Sequence, residues 1–273
     1  GKYAFYRCTG LTGSLVIPES VTSIGQYAFS NCWNLSGKLV IPKSLVEIGN
    51  MAFSNCHGFE AVEVAGENQN YASIDDALYT KDGKTLIYYP GQKTGAYTVH
   101  EGTEVIGRMA FYNANVDSVT LPESVKTIEF KAFAHFDGKV TVKGKLDTIE
   151  GEAFSEYGEG VSVYFIGGAP LNVETGENPS FITDTENEGQ ITIYYVDDGS
   201  WELDENGLWN GYSLEEMIVY EQKLPTGAYI AKGYCGDELN NGKNLVWFIN
   251  YSGTLTIRGK GNMADFEQVE DGN

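Results

Sequence analysis

Apolar residues recur along this chain in short runs and not on helical faces. Leu15-Val16-Ile17 precedes Pro18, Leu39-Val40-Ile41 precedes Pro42, and Val119-Thr120-Leu121 precedes Pro122. Runs of this length predict short strands, and the proline that follows fixes φ, withholds a ladder donor and ends each one. A Ser-Val-x-x-Ile segment comes next and puts Ile24, Ile48, Ile106, Ile128 and Ile149 in phase. An Ala-Phe pair then recurs at Ala4-Phe5, Ala28-Phe29, Ala52-Phe53, Ala110-Phe111, Ala132-Phe133 and Ala153-Phe154. Counted from Phe to Phe, the steps are 24, 24, 58, 22 and 21 residues. A period in the low twenties predicts a β-rich solenoid of leucine-rich-repeat size. No unit that small buries its apolar face alone, so stacked neighbours must do it.

Phase assigns roles. The in-phase Ile and Phe are expected in the core, with the small Ala letting the backbone close beside them. Gly25, Gly49 and Gly107 follow the Ile and are expected at a bend. Asn31, Asn55 and Asn113, two residues after Phe, are expected to hydrogen-bond the backbone of the next turn. Cys8, Cys32 and Cys56, three after Phe, predict a ladder of reduced, buried thiols, because parallel side chains do not meet the disulfide dihedral. Cys235 stands apart. Later units depart from the pattern: Ala114, Phe136 and Tyr157 replace Cys, Lys143 replaces Pro, and Glu129 and Glu150 replace Gly. These changes read as a taper toward a cap.

The step of 58 hides an insertion over residues 65–98. Val62-Glu63-Val64 is a repeat strand without its proline, and the pattern resumes at Tyr97-Thr98-Val99-His100. Between them, Asp82-Gly83 flanked by β-formers predicts a hairpin over residues 77–90 that rides on the solenoid as one atypical turn. This insertion carries Tyr71, Tyr79, Tyr88, Tyr89 and Tyr97.

The recurring Ile-Pro, Ser-Val-x-x-Ile-Gly-x-x-Ala-Phe-x-x-Cys pattern resembles the BspA-like bacterial leucine-rich repeats, and so does Leu78-Tyr79-Thr80-Lys81-Asp82-Gly83-Lys84-Thr85-Leu86-Ile87-Tyr88-Tyr89-Pro90. The resemblance covers residues 1 to about 167. It implies a surface or secreted protein of a host-associated bacterium, adhesive in some members, with no catalytic residues to carry over. Tyr164-Phe165 to Ala169-Pro170, the strand Gln190–Val196 and Trp201 resemble the end cap of that family. The expected organisation is a solenoid over 1–167, a cap over 168–222 and a partial all-β module over 223–273. In the module, Leu245–Ile257 reads as two β runs around Asn250-Tyr251-Ser252-Gly253, after a run at Ala231–Asp237. The chain starts inside a repeat, so it reads as a piece of a longer protein.

Composition narrows the function. A net charge of −20 repels nucleic acid and anionic lipid. No run of about 18 apolar residues is present to span a bilayer. His57, His100 and His135 fall on different repeats, which gives a nucleophilic triad no support. Neither His-Glu-x-x-His nor Cys-x-x-Cys occurs. Asp184-Thr185-Glu186-Asn187-Glu188-Gly189 mimics the start of a calcium loop, but its twelfth position is Tyr195 and no helices flank it, so it reads as an acidic loop. Among 38 acids, Asp75-Asp76, Asp197-Asp198 and Glu215-Glu216 are pairs by proximity in sequence, and solvated surface acids account for them.

Surfaces remain. Residues alternating with core positions, Val16, Val40, Glu63, Thr120, Thr141 and Ser162, are expected on an outward strand face. Tyr79 and Tyr88 are the second candidates, set against hairpin packing that would claim such tyrosines. The expectation is a monomeric, non-catalytic, extracellular surface protein without cofactor that binds host protein or glycan. A structural spacer and a glycan-active enzyme using a carboxylate pair are the alternatives.

Overall fold

The computed structural model describes residues 1–155, 160–173, 191–196, 199–209 and 214–216, together with the backbone of the strands Tyr229–Cys235, Leu245–Asn250 and Leu255–Gly259. It divides into two compact units, Gly1–Glu216 and Met217–Asn273. The described residues contain strands and turns and no helix.

The first unit is a parallel β solenoid. Its broad face begins as a three-stranded sheet of Gly13–Val16, Leu35–Ile41 and Phe59–Val64. It resumes as a six-stranded parallel sheet of Ala96–Thr98, Ser118–Leu121, Gly138–Val142, Val161–Phe165, Ile191–Tyr195 and Leu214–Glu216. Two-residue strands at the in-phase Ile, such as Ser23–Ile24 on Glu47–Ile48, form a second, narrower ladder. Parallel partners lie one repeat apart, as Leu39 opposite Val62 and Val119 opposite Val140. The prolines open the turns between the ladders: Pro18 and Pro122 carbonyls accept the N–H of Val21 and Val125 at 2.9 and 3.1 Å.

The Ala-Phe corner shows how the backbone is satisfied without regular strands. The N–H groups of Tyr27, Phe29 and Asn31 donate forward to Asn50, Ala52 and Ser54 carbonyls at 3.1, 2.8 and 2.9 Å. The intervening Ala28, Ser30 and Cys32 donate back within their own turn. This alternation requires left-handed backbone at Tyr27, Asn31, Met51 and Asn55, with φ of 55°, 63°, 57° and 57°. Such φ values cost about 1–2 kcal/mol for most residues and less for Asn. The inward rings stack: Phe111 on Phe133 at 4.9 Å and Phe133 on Phe154 at 5.1 Å, each with 4° between planes. Cys32 and Cys56 are buried free thiols that donate to Phe5 and Phe29 carbonyls at 2.9 and 3.0 Å. Burial pushes the Cys56 thiol well above its usual range, so it stays protonated.

Two expectations about the repeat need correction, and the reason for its glycines is a different one. Gly25, Gly49 and Gly107 do open the corner turn, their carbonyls accepting from Ala28, Ala52 and Ala110 N–H, but without positive φ. Their requirement is close approach of successive turns: a Cβ on Gly49 would lie 2.4 Å from Gln26 N, and one on Gly107 2.7 Å from Leu86 O. The asparagines bond mainly to one another, Asn55 Nδ2 donating to Asn31 Oδ1 at 2.7 Å. The later units do not taper. Phe136 fills the Cys slot edge-on to Phe133 at 5.6 Å. Glu129 and Glu150 accept the N–H of Arg108 and Phe130 at 2.9 and 2.8 Å and share the Arg108 side chain. Burial, then Glu150, raises the Glu129 pKa, and Arg108 opposes this.

The insertion is a three-stranded meander, Tyr71–Ile74, Ala77–Thr80 and Thr85–Tyr88. The Asp82-Gly83 turn is present, with Gly83 at φ 73°. A second two-residue turn uses Asp75 and Asp76, both at positive φ, which is the conformation a tight hairpin demands. The meander is more than a rider on the solenoid. Leu78 and Tyr88 point into the core shared with Phe29, Phe53 and Phe59, whereas Ala77, Tyr79 and Leu86 point into the core shared with Ile106 and Phe111. It is a septum buried on both sides. Tyr71 hydroxyl accepts from Ile48 N–H at 2.8 Å and donates to Val46 O at 3.3 Å, standing in for a backbone partner at the interrupted ladder. The buried Asn68 does the same with both ends of its amide.

Beyond Pro170, Ile191–Tyr195 and Leu214–Glu216 extend the broad sheet, while Trp201 and Trp209 pack on Phe165 at 5.7 and 6.1 Å. They cover the last turn, as a solenoid end requires. In the second unit, Leu245–Asn250 pairs antiparallel with Leu255–Gly259, as expected, and also with Tyr229–Cys235 on its other edge.

Three measurements check this account. Phe111→Ala is expected to cost about 3–5 kcal/mol in urea unfolding. Gly49→Ala, usually neutral or favourable away from such contacts, is expected to lower the melting temperature, because the methyl group meets backbone. His57 Nδ1 lies 3.1 Å from both Asn55 Oδ1 and Asn113 Nδ2, and burial lowers its pKa. The folded state therefore binds fewer protons than the unfolded one below the unfolded value of about 6.5. Stability from neutral His57 is present above that pH and falls as pH drops toward the folded value. Between pH 7.5 and pH 5, His57→Gln is expected to lose less stability than the parent in matched urea titrations.

Candidate binding face

Period-two alternation on the broad sheet turns one residue to the core and the next outward. Register defines the outward rows. In the three-stranded sheet, Val16, Val40 and Glu63 are successive partners. Val16 is 62% exposed, large for a valine in a strand. With Pro18, Pro42, Ser73 and Asp76 they line a shallow groove of about 590 Å³. Two of its acids are paired, Glu63 with Lys38 and Asp76 with Lys93 at 2.7 Å.

In the six-stranded sheet the outward row is Thr98, Thr120, Thr141, Tyr164, Tyr194 and Glu215. Three threonine hydroxyls in register give way to two tyrosines stacked at 4.3 Å with 8° between planes. Lys139 Nζ sits 4.1 Å from the centre of the Tyr164 ring, a cation–π contact on the ring face away from Tyr194. Burial, then Tyr194, raises the Tyr164 pKa, so its phenol is protonated at neutral pH and can donate. This patch offers hydroxyls, one cation and aromatic surface within a protein of net charge −20.

Of the residues expected on this face, Val16, Val40, Glu63, Thr120 and Thr141 are in outward register. Ser162 is also outward, but it pairs with Lys139, one row away, and Tyr164 holds the position opposite Thr141. The loop after Phe154 is two residues longer than the one after Phe133, and an even slip preserves the in–out alternation, so burial pattern alone cannot reveal it. A second mark in the sequence does. Gly144 follows Lys143, and Gly167 follows Ile166 in the same slot, where a Cβ would lie 2.2 Å from Gly144. Anchoring on that glycine finds Tyr164, and Tyr194 follows from the next strand.

Tyr79 and Tyr88 do not belong to a surface. Tyr79 is fully buried and Tyr88 is 5% exposed. Tyr79 hydroxyl meets Tyr97 hydroxyl at 2.7 Å, and Tyr88 hydroxyl donates to Cys56 O at 2.7 Å. Tyr71, Tyr89 and Tyr97 are buried as well, so packing claims all five tyrosines. Asp75-Asp76 is the tight turn described above. His100 and His135 are exposed, and His57 belongs to the asparagine ladder. No group of three or more His, Cys, Asp or Glu among the described residues gathers to hold a metal. Asp184–Gly189, Asp197-Asp198 and Tyr157 lie outside the described residues.

Comparison with known proteins bears on the fold. A leucine-rich repeat protein from Eubacterium ventriosum superposes with a TM-score of 0.57 and 20% identity, over 75% of this chain and 54% of that one. A leucine-rich cell surface protein from Faecalibacterium prausnitzii gives 0.53 and 22%, over 81% of this chain and 62% of that one. The chain thus spans only about half of the first protein's length. No functionally curated protein shows significant sequence similarity to it. The profile of the BspA type leucine rich repeat region matches in six copies, over residues 1–89 and 86–181. Those repeats cover well over half of the sequence, and the chain belongs to the BspA-type leucine-rich repeat family.

Proposed function

We propose that this chain is part of a non-catalytic, extracellular, surface-attached protein that binds host protein or glycan through the outward face of its broad sheet. The observation that carries this reading is the Thr98–Thr120–Thr141–Tyr164–Tyr194 row with Lys139 beside it. A solenoid strand face offers an extended binding surface, and tyrosines are over-represented among residues that dominate binding energy. The Faecalibacterium prausnitzii relative in fold is described as a cell surface protein, which supports the location. Glu129 and Glu150, acids of successive repeat corners, are engaged in holding successive turns, which supports a scaffold over a carboxylate-pair enzyme.

The test is binding of the purified chain to matrix proteins, mucin and a broad glycan array, alongside a Tyr164→Ala/Tyr194→Ala variant. Outward-facing tyrosines at a hot spot are each expected to contribute about 2 kcal/mol, roughly a 30-fold loss of affinity per residue. The variant's unfolding midpoint is expected to move little. Absence of binding to every class, or equal binding by the variant, rejects the face. If bacteria lacking the repeats adhere as before, the repeats act as a spacer instead.

A further inference from the structure

The ladder of inter-turn hydrogen bonds is complete at the Ala-Phe corners of the first three units and again from the fourth onward, but it breaks between them. Leu86 pairs with Ile106 in the narrow ladder. Tyr89 N–H donates to Ala110 O at 2.9 Å, just as Phe111 N–H donates to Ala132 O at 2.8 Å. Tyr89 therefore occupies the Phe position of the septum turn, and its ring stacks on Phe111 at 4.9 Å. From Leu86 to Tyr89 is three steps, whereas from Ile106 to Phe111 is five. The septum turn is thus two residues short at the corner where its neighbours bulge outward through Gly49-Asn50-Met51 and Gly107-Arg108-Met109.

The shortfall leaves a notch one turn wide, a cavity of about 120 Å³. One wall is residues 48–54, the other is Gly107, Arg108 and Met109 with Glu129, and the floor is Thr85, Ile87 and Tyr88. The walls are unlike. Tyr27 and Phe29 N–H groups donate toward the following turn; Met51 and Phe53 are their equivalents, and Met51, like Tyr27, precedes Ala with left-handed φ. No described residue accepts from Met51 or Phe53 N–H, although Phe53 is only 2% exposed. Asn50 carbonyl accepts from the preceding turn, and Arg108 carbonyl, its equivalent, receives no donor from the described residues. One wall offers donors and the other an acceptor, across a gap of one missing rung.

The group that completes such a rung is a secondary amide, with C=O toward Met51 and N–H toward Arg108. We infer that this notch binds the acetamido group of an N-acetylated amino sugar. The amide bridges the walls, the methyl group rests on Ile87, and the sugar ring lies at the polar rim of Asn50, Thr85 and Glu129. The missing stretch is two residues long, room for one amide between the walls and not for the longer run of a continuing peptide. The strong negative charge of the chain also favours a neutral ligand over an anionic one. This site is separate from the broad-sheet face, and its failure would leave that proposal untouched.

Titration of the 15N-labelled chain with N-acetylglucosamine tests the inference. The Met51 and Phe53 amide resonances are expected to shift and saturate, while glucosamine and glucose leave them in place. Absence of a saturable shift at Met51 overturns it. Equal shifts with glucose assign the site to hydroxyls and also overturn it. Tighter binding of N-acetylglycine N-methylamide than of the sugar assigns the notch to a peptide and overturns the sugar. Inserting Gly-Ser between Leu86 and Ile87 restores the corner length and is expected to abolish the shift. Should that variant fail to fold, the parent chain with the four ligands decides the question alone.

Discussion

Every turn of this solenoid must hand its backbone donors to the next one. A coil of about 22 residues with strands of two to seven residues leaves most amides outside regular sheets, and a buried amide without a partner costs about 1–3 kcal/mol. The alternation at the Ala-Phe corner meets this demand, with odd positions bonding forward and even positions bonding back. The rest follows. Left-handed backbone at Tyr27 and Met51 is what the alternation needs, Gly49 and Gly107 let the turns approach, and the Phe, Cys and Asn ladders are in register because the backbone is.

The septum shows how strict the demand is, because it interrupts the ladder and is surrounded by substitutes. Tyr71 hydroxyl and Asn68 amide each replace backbone groups of a missing turn. Tyr88 and Tyr89 carry the ring ladder across, toward Phe53 at 6.1 Å and Phe111 at 4.9 Å. Burying both faces of the meander also joins two cores that a simple excursion would have left apart. The tyrosines that make this insertion conspicuous are therefore spent on structure, and the outward chemistry moves to Tyr164 and Tyr194, with Lys139 beside them.

The sequence by itself determined the periodic part of this protein. The in-phase Ile, Phe and Cys had to face a common interior, since only stacking could bury them, and the Pro-terminated runs had to be strands. Asp82-Gly83 declared its hairpin because tight turns restrict residue choice. The outward row was legible as far as Thr141, where the spacing held. Tertiary structure decided what depends on a neighbouring turn. An even slip after Phe154 keeps every side chain on its face, so alternation does not tell Tyr164 from Ser162; the pairing decides for Tyr164, and the shared glycine slot of Gly144 and Gly167 is its one mark in the sequence. A tyrosine-rich hairpin reads the same whether it lies on a surface or between two cores, and only the second core settled the matter. The need for Gly49 comes from the backbone of Gln26, one repeat earlier, a contact between residues that no local pattern relates. Local periodicity fixes which way a side chain points; what it meets there is set by the next turn of the coil.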